Sequence, residues 1–142
     1  MTICGAVLGL GIGIAGSLDL IPDGTSLADT LLVLIPTTAA TLATGTLAAR
    51  WVADRTLAIR PKPLFSPIVG AGLGMLGAAF SGGVSFALGM AIAIPATGVS
   101  TGSLDYPQSI GMAVLAGVLW GGIAGIPTGG VAVPIISLYM GF

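Results

Sequence analysis

The chain has 142 residues, 55% hydrophobic and 6% charged, with four basic and five acidic side chains and a formal net charge of −1. A soluble domain carries roughly a quarter of its residues as Asp, Glu, Lys and Arg, so this chain lacks the charge to clothe a water-facing globule. Its apolar residues fall in a few long stretches, as a bilayer requires, and the composition predicts an integral, multi-pass membrane protein.

The reactive inventory is small. There is no His, Glu or Asn, and Cys4 is the single cysteine. A tetrahedral zinc site of the common types cannot be assembled within one such chain, nor can a Ser-His-Asp or Cys-His pair. The expectation is therefore a protein that is not an enzyme, with no cofactor and no resident metal. All basic residues lie in one short segment of a chain whose net charge is negative, which argues against nucleic-acid binding.

Four apolar stretches follow one another. The first, from about Thr2 to Leu18, carries Gly5, Gly9 and Gly13 on one helical face. It lacks a basic leader and is read as a membrane helix rather than a signal peptide. Asp19 follows directly, where the negative end of a helix dipole disfavours a carboxylate, and Pro22-Asp23-Gly24 reads as a turn. Ser26-Leu27-Ala28-Asp29 is a capping pattern that opens the second stretch, about Ser26 to Ala49, with Thr37, Thr41, Gly45 and Ala49 at four-residue spacing.

Arg50, Arg55, Arg60 and Lys62 come next, in a basic loop spanning residues 50–65 with Trp51 and Phe65 as interfacial aromatics. The positive-inside bias places this loop in the cytoplasm. The third stretch, about Ser66 to Ile94, offers Gly70, Gly74 and Ala78 on one face. The fourth, about Ser109 to Phe142, offers Ala113, Gly117, Gly121 and Gly125, with Asp105 and Gln108 placed to cap its start. Both exceed one crossing, and both contain helix-weakening residues, Gly82-Gly83 in one and Pro127-Thr128-Gly129-Gly130 with Pro134 in the other. They are expected to be tilted or kinked helices, or broken ones facing a cavity or a partner. Trp120, midway along the fourth, is expected to pack rather than to gate.

Gly16-Ser17-Leu18-Asp19 recurs as Gly102-Ser103-Leu104-Asp105, each before a proline, as two parallel helical hairpins would give. The expected fold is all-α: a polytopic transmembrane helical bundle of four crossings, residues 1–142 forming a single transmembrane domain. Both termini would be cytoplasmic, with no domain outside the bilayer. Small-residue faces let backbones approach closely, so Gly5, Gly9, Gly13, Gly117, Gly121 and Gly125 are the expected packing residues. The partners implied are the lipid bilayer and other membrane subunits or further copies of the chain.

Two functions are compatible with these features. One is a structural or accessory helical subunit of a larger membrane assembly. The other is a small channel or transporter for a neutral solute or ion, built from two hairpins, with Asp19 and Asp105 forming an outer-face polar site. No acidic residue sits mid-stretch, whereas ion pathways usually hold ionisable groups within the membrane. The subunit reading is therefore the favoured one.

Overall fold

The computed structural model describes residues 26–62, 64–97 and 105–141, and all the regular structure among them is helical. Three long helices follow in order: α1 (Leu27–Ile59), α2 (Ser66–Thr97) and α3 (Tyr106–Met140). Each is long and apolar enough to cross a membrane. The described residues therefore contain three candidate crossings where four were expected; the stretch from about Thr2 to Leu18, expected to be another, lies outside them.

The boundaries have local causes. Ser26 sits at the N-cap of α1 in an extended conformation. Its hydroxyl accepts the Asp29 N–H at 3.2 Å and donates to Asp29 Oδ2 at 2.6 Å, which satisfies an end donor and seats a carboxylate at the positive end of the dipole. At the other end Arg60 turns left-handed, φ 46°, with its N–H on the Thr56 carbonyl. Pro61 follows, and a residue before proline resists the helical region, so the helix stops there. The N–H groups of Phe65 and Ser66 both bond to the Lys62 carbonyl, at 2.9 and 3.0 Å, closing the turn into α2. Asp105 is the N-cap residue of α3, where its N–H donates to Gln108 Oε1 at 3.3 Å. Gly141, at φ 76°, ends that helix in the left-handed conformation natural to glycine.

One expectation needs correcting and one alternative is resolved. Residues 50–59, read as part of a loop, are the last turns of α1, so only the few residues between Ile59 and Ser66 connect the helices. Of the two alternatives for the third and fourth stretches, a tilted or kinked helix and a broken one, the helices are unbroken: α2 runs through Gly82-Gly83, and α3 through Pro127 and Pro134. Glycine and proline are tolerated in membrane helices because neighbouring groups re-satisfy the backbone they free. One such repair is visible. Pro95 cannot donate to the Ala91 carbonyl, and the Tyr106 hydroxyl donates to that oxygen instead, at 3.0 Å.

The helices run up, down and up, with α2 in the middle. It packs extensively against α3 and less against α1, while α1 and α3 barely meet. The buried residues are small, Val33 and Val133 being the largest fully buried apolar side chains, whereas Leu, Ile, Phe and Trp face outward. This is a soluble protein's pattern reversed, as expected where lipid is as apolar as any core.

Tyr106→Phe removes the repair at Ala91 without changing the ring. It should cost about 0.6 kcal/mol, the mean for a side-chain hydrogen bond in a membrane protein, measured by reversible unfolding in mixed detergent micelles. No loss of stability would mean that the Ala91 carbonyl finds another donor.

Candidate functional site: two seams and a basic end

The contact between α2 and α3 is made by main chain. Gly70 lies opposite Gly129, Gly74 opposite Gly125, Ala78 opposite Gly121 and Gly82 opposite Gly117. A methyl group added at any of these glycines would overlap a carbonyl oxygen of the facing helix, reciprocally for the three glycine–glycine pairs. Each glycine thus directs a Cα–H at the partner's carbonyl, a weak hydrogen bond worth about 0.5–1 kcal/mol in condensed phase.

Every fourth residue of α3 from Ser109 to Ser137 is buried. Four residues of an α-helix turn through about 400°, so such a row advances roughly 40° for each ~6 Å of rise. A contact row that repeats more slowly than 3.6 residues winds right-handedly, and two helices follow it only by coiling about each other in that sense. Such a row differs in hand from the seam of a heptad coiled coil, and the small residues along it let the two backbones approach.

The second seam, between α1 and α2, holds hydroxyls. Thr44 Oγ1 lies 3.0 Å from Ser81 Oγ and 3.3 Å from Ser85 Oγ. Nearby hydroxyls turn back on their own helices: Thr37 donates to Val33 O, Thr41 to Thr37 O, and Ser85 to Ser81 O. Such back-bonding satisfies a hydroxyl where no water is present. Two buried hydroxyls, of Thr38 and Ser137, have no partner among the described residues.

The four basic residues gather at one end of the fold. Arg50 and Arg55 project from the last turns of α1, Arg60 caps it and Lys62 lies in the turn; all are exposed, as is Asp54 among them. Arg55 stacks over the Trp51 ring, 5.9 Å from its centroid. The 20 residues from Thr30 to Ala49 separate Asp29 from Arg50, a rise of about 30 Å that matches a hydrocarbon core. Gly77 lies against Ala48 and Val52, which flank Arg50, and Ala78 lies against Gly121. The level of Arg50 therefore falls near Gly121–Gly125 on α3, and roughly 25 Å of helix continues past it to Met140. That extension is apolar on its outer face, with Ile123, Ile126, Val131, Ile135, Leu138 and Tyr139 exposed.

Among the residues singled out from sequence, Gly117, Gly121 and Gly125 lie together in the glycine seam. Gly5, Gly9, Gly13 and Asp19 lie outside the described residues. Asp105 sits at the exposed start of α3. Trp120, expected to pack, is instead 69% exposed on the outer side of α3, because its spacing from Gly117 and Gly121 turns it away from the seam. Gly82 and Gly129 were read as weakening their helices and not as packing residues, yet they continue the four-residue rows begun by Gly70 and by Gly117, which was the signal available. Comparison with known proteins finds no matching family, no similar curated protein and no similar solved structure.

Glycines in and out of the seam should respond oppositely to one added methyl. Gly121→Ala drives a Cβ onto the Ala78 carbonyl and should destabilise by about 1–3 kcal/mol, the range for overpacking. At Gly111 nothing lies within 4 Å of an added Cβ, so Gly111→Ala should be neutral or stabilising by up to about 1 kcal/mol. Reversible unfolding in detergent measures both, and equal responses would sink the main-chain contact.

Proposed function

We propose that this small membrane protein is a structural or accessory helical subunit of a larger membrane assembly, acting by packing rather than by chemistry. The observation carrying the reading is the mismatch between α1 and the α2–α3 pair. The charges of α1 mark a bilayer about 30 Å thick, while the apolar surface of α3 continues far beyond the level of Arg50. An apolar face too long for lipid to cover is satisfied by another protein, either a different subunit or a second copy of the chain. A solute path is the competing reading. The deep hydroxyls at Thr37, Thr41 and Ser85 are committed to backbone carbonyls, which leaves them poorly placed to line such a path.

In this proposal the chain crosses four times, with residues 2–18 as the additional helix, and the basic end together with both termini faces the cytoplasm. Lys62→Cys in a Cys4→Ala background tests the orientation. A membrane-impermeant maleimide should label it in inverted vesicles and not in intact cells; labelling from outside would invert the topology.

Native mass spectrometry after gentle extraction, with no added tag, tests the subunit reading itself. A stoichiometric complex with other membrane proteins, or a fixed homo-oligomer without solute flux in liposomes, is expected. A monomer, or flux through the purified protein, would overturn it.

A further inference from the structure

A groove of about 450 Å³ opens between α1 and α2 at the basic end, lined by Leu47, Ala48, Trp51, Leu76, Gly77 and Phe80. That volume falls within the usual range for ligand clefts, about 300–1,000 Å³. Its floor exists because residue 77 has no side chain: a Cβ there would press on Val52 Cγ2 at 3.2 Å and meet Ala48 Cβ at 3.5 Å. Its walls are large apolar side chains with free outer surfaces, Leu47 and Phe80 each about three-fifths exposed.

The groove is graded along its length. Leu47, Trp51 and Arg55 are spaced by four and so share one face of α1. Leu47 and Phe80 form the deep end, Trp51 and Leu76 the shallow end, and the Arg55 guanidinium lies over the Trp51 ring at the mouth. From Leu47 to Arg55 the helix rises about 12 Å, passing from a purely apolar environment through an amphipathic ring to a fixed positive charge. Arg50, Arg60 and Lys62 add positive potential at this end, and Asp54 subtracts from it.

We propose that this groove is a binding site for one anionic phospholipid. An acyl chain lies over Gly77 between Leu47 and Phe80, the glycerol region meets Trp51 and Leu76, and the phosphate pairs with Arg55. Charge complementarity selects the ligand. A guanidinium matches a phosphate in a fork of donors, and a net negative headgroup is attracted by the surrounding cations where a zwitterionic one is not. The site does not depend on the subunit reading, since it requires only that the chain lie in a bilayer.

Trp120→Phe leaves Trp51 as the only tryptophan, and Trp120 is exposed, so the substitution leaves the packing intact. The protein is then placed in bilayers containing phosphatidylcholine or phosphatidylglycerol with brominated acyl chains, which quench Trp51 on contact. The anionic lipid should bind about fivefold more tightly than the neutral one, the expectation for one added cation–headgroup contact of about 1 kcal/mol. Arg55→Gln should bring the ratio to about one, while Arg60→Gln, which removes a cation away from the groove, should leave it near fivefold. Arg55 is exposed, so neither variant threatens the fold, and far-ultraviolet circular dichroism checks this. Equal quenching by the two lipids would overturn the site. So would an equal loss in Arg55→Gln and Arg60→Gln, which would reduce the effect to diffuse surface attraction, or an unquenched Trp51, which would mean that a segment of the protein fills the groove.

Discussion

Main-chain contact between α2 and α3 is the constraint on which the rest of this structure depends. In a bilayer no hydrophobic driving force joins two helices, since lipid and side chain are equally apolar. Association has to come from dispersion, from Cα–H···O contacts and from the lipid released. All three grow as the axes approach, and the axes approach only where side chains are absent. The glycines at 70, 74 and 82, facing 129, 125 and 117, meet that demand over about 18 Å of the pair. The outward position of the large residues follows from it: once the interface is given to glycine, Leu, Ile and Trp have only the lipid side left.

The contact of α1 is of another kind. It meets α2 through threonine and serine hydroxyls and through Gly77, over a smaller surface. The two seams lie on neighbouring faces of α2, which is why α2 carries so many small residues and why α1 and α3 scarcely touch. The pair formed by α2 and α3 shares the larger interface, and α1 is joined to it through the smaller one. The groove near Trp51 lies on the weaker of the two interfaces, where space remains.

The helical class, with helices long and apolar enough to cross a membrane, was legible from charge and apolar run length alone. The starts of α1 and α3 were legible too, because Ser26-x-x-Asp29 and Asp105-x-x-Gln108 place their polar atoms by local geometry. The alternative left open and the one error in helix extent share a source in local reasoning. Gly82-Gly83, Gly129-Gly130 and the prolines weaken an isolated helix in water, but the partner helix and the absence of competing water keep the ladder closed in this setting. The same local reasoning took Arg50 to Ile59 for a loop because they are charged, although a charged helix end projecting from a membrane costs nothing. The four-residue spacing of glycines could be seen in the sequence. Which row faced which could not, since register between two helices is a property of neither one alone.

The back-bonded hydroxyls of α1 have a consequence for biosynthesis. Translation proceeds from the N-terminus, so α1 enters the bilayer before α2 exists and must persist there without the helix it will pack against. A helix whose polar groups depended on a neighbour would meet that interval with unsatisfied donors in hydrocarbon. In α1, Thr37, Thr41, Thr46 and Thr56 each donate to a carbonyl one turn back on the same helix. Apart from Thr38, whose hydroxyl has no partner among the described residues, these hydroxyls are satisfied within the helix on arrival. Thr44 reaches across as well, to Ser81 and Ser85, so docking adds a hydroxyl cluster to a helix whose other threonines, Thr38 aside, already donate within the chain.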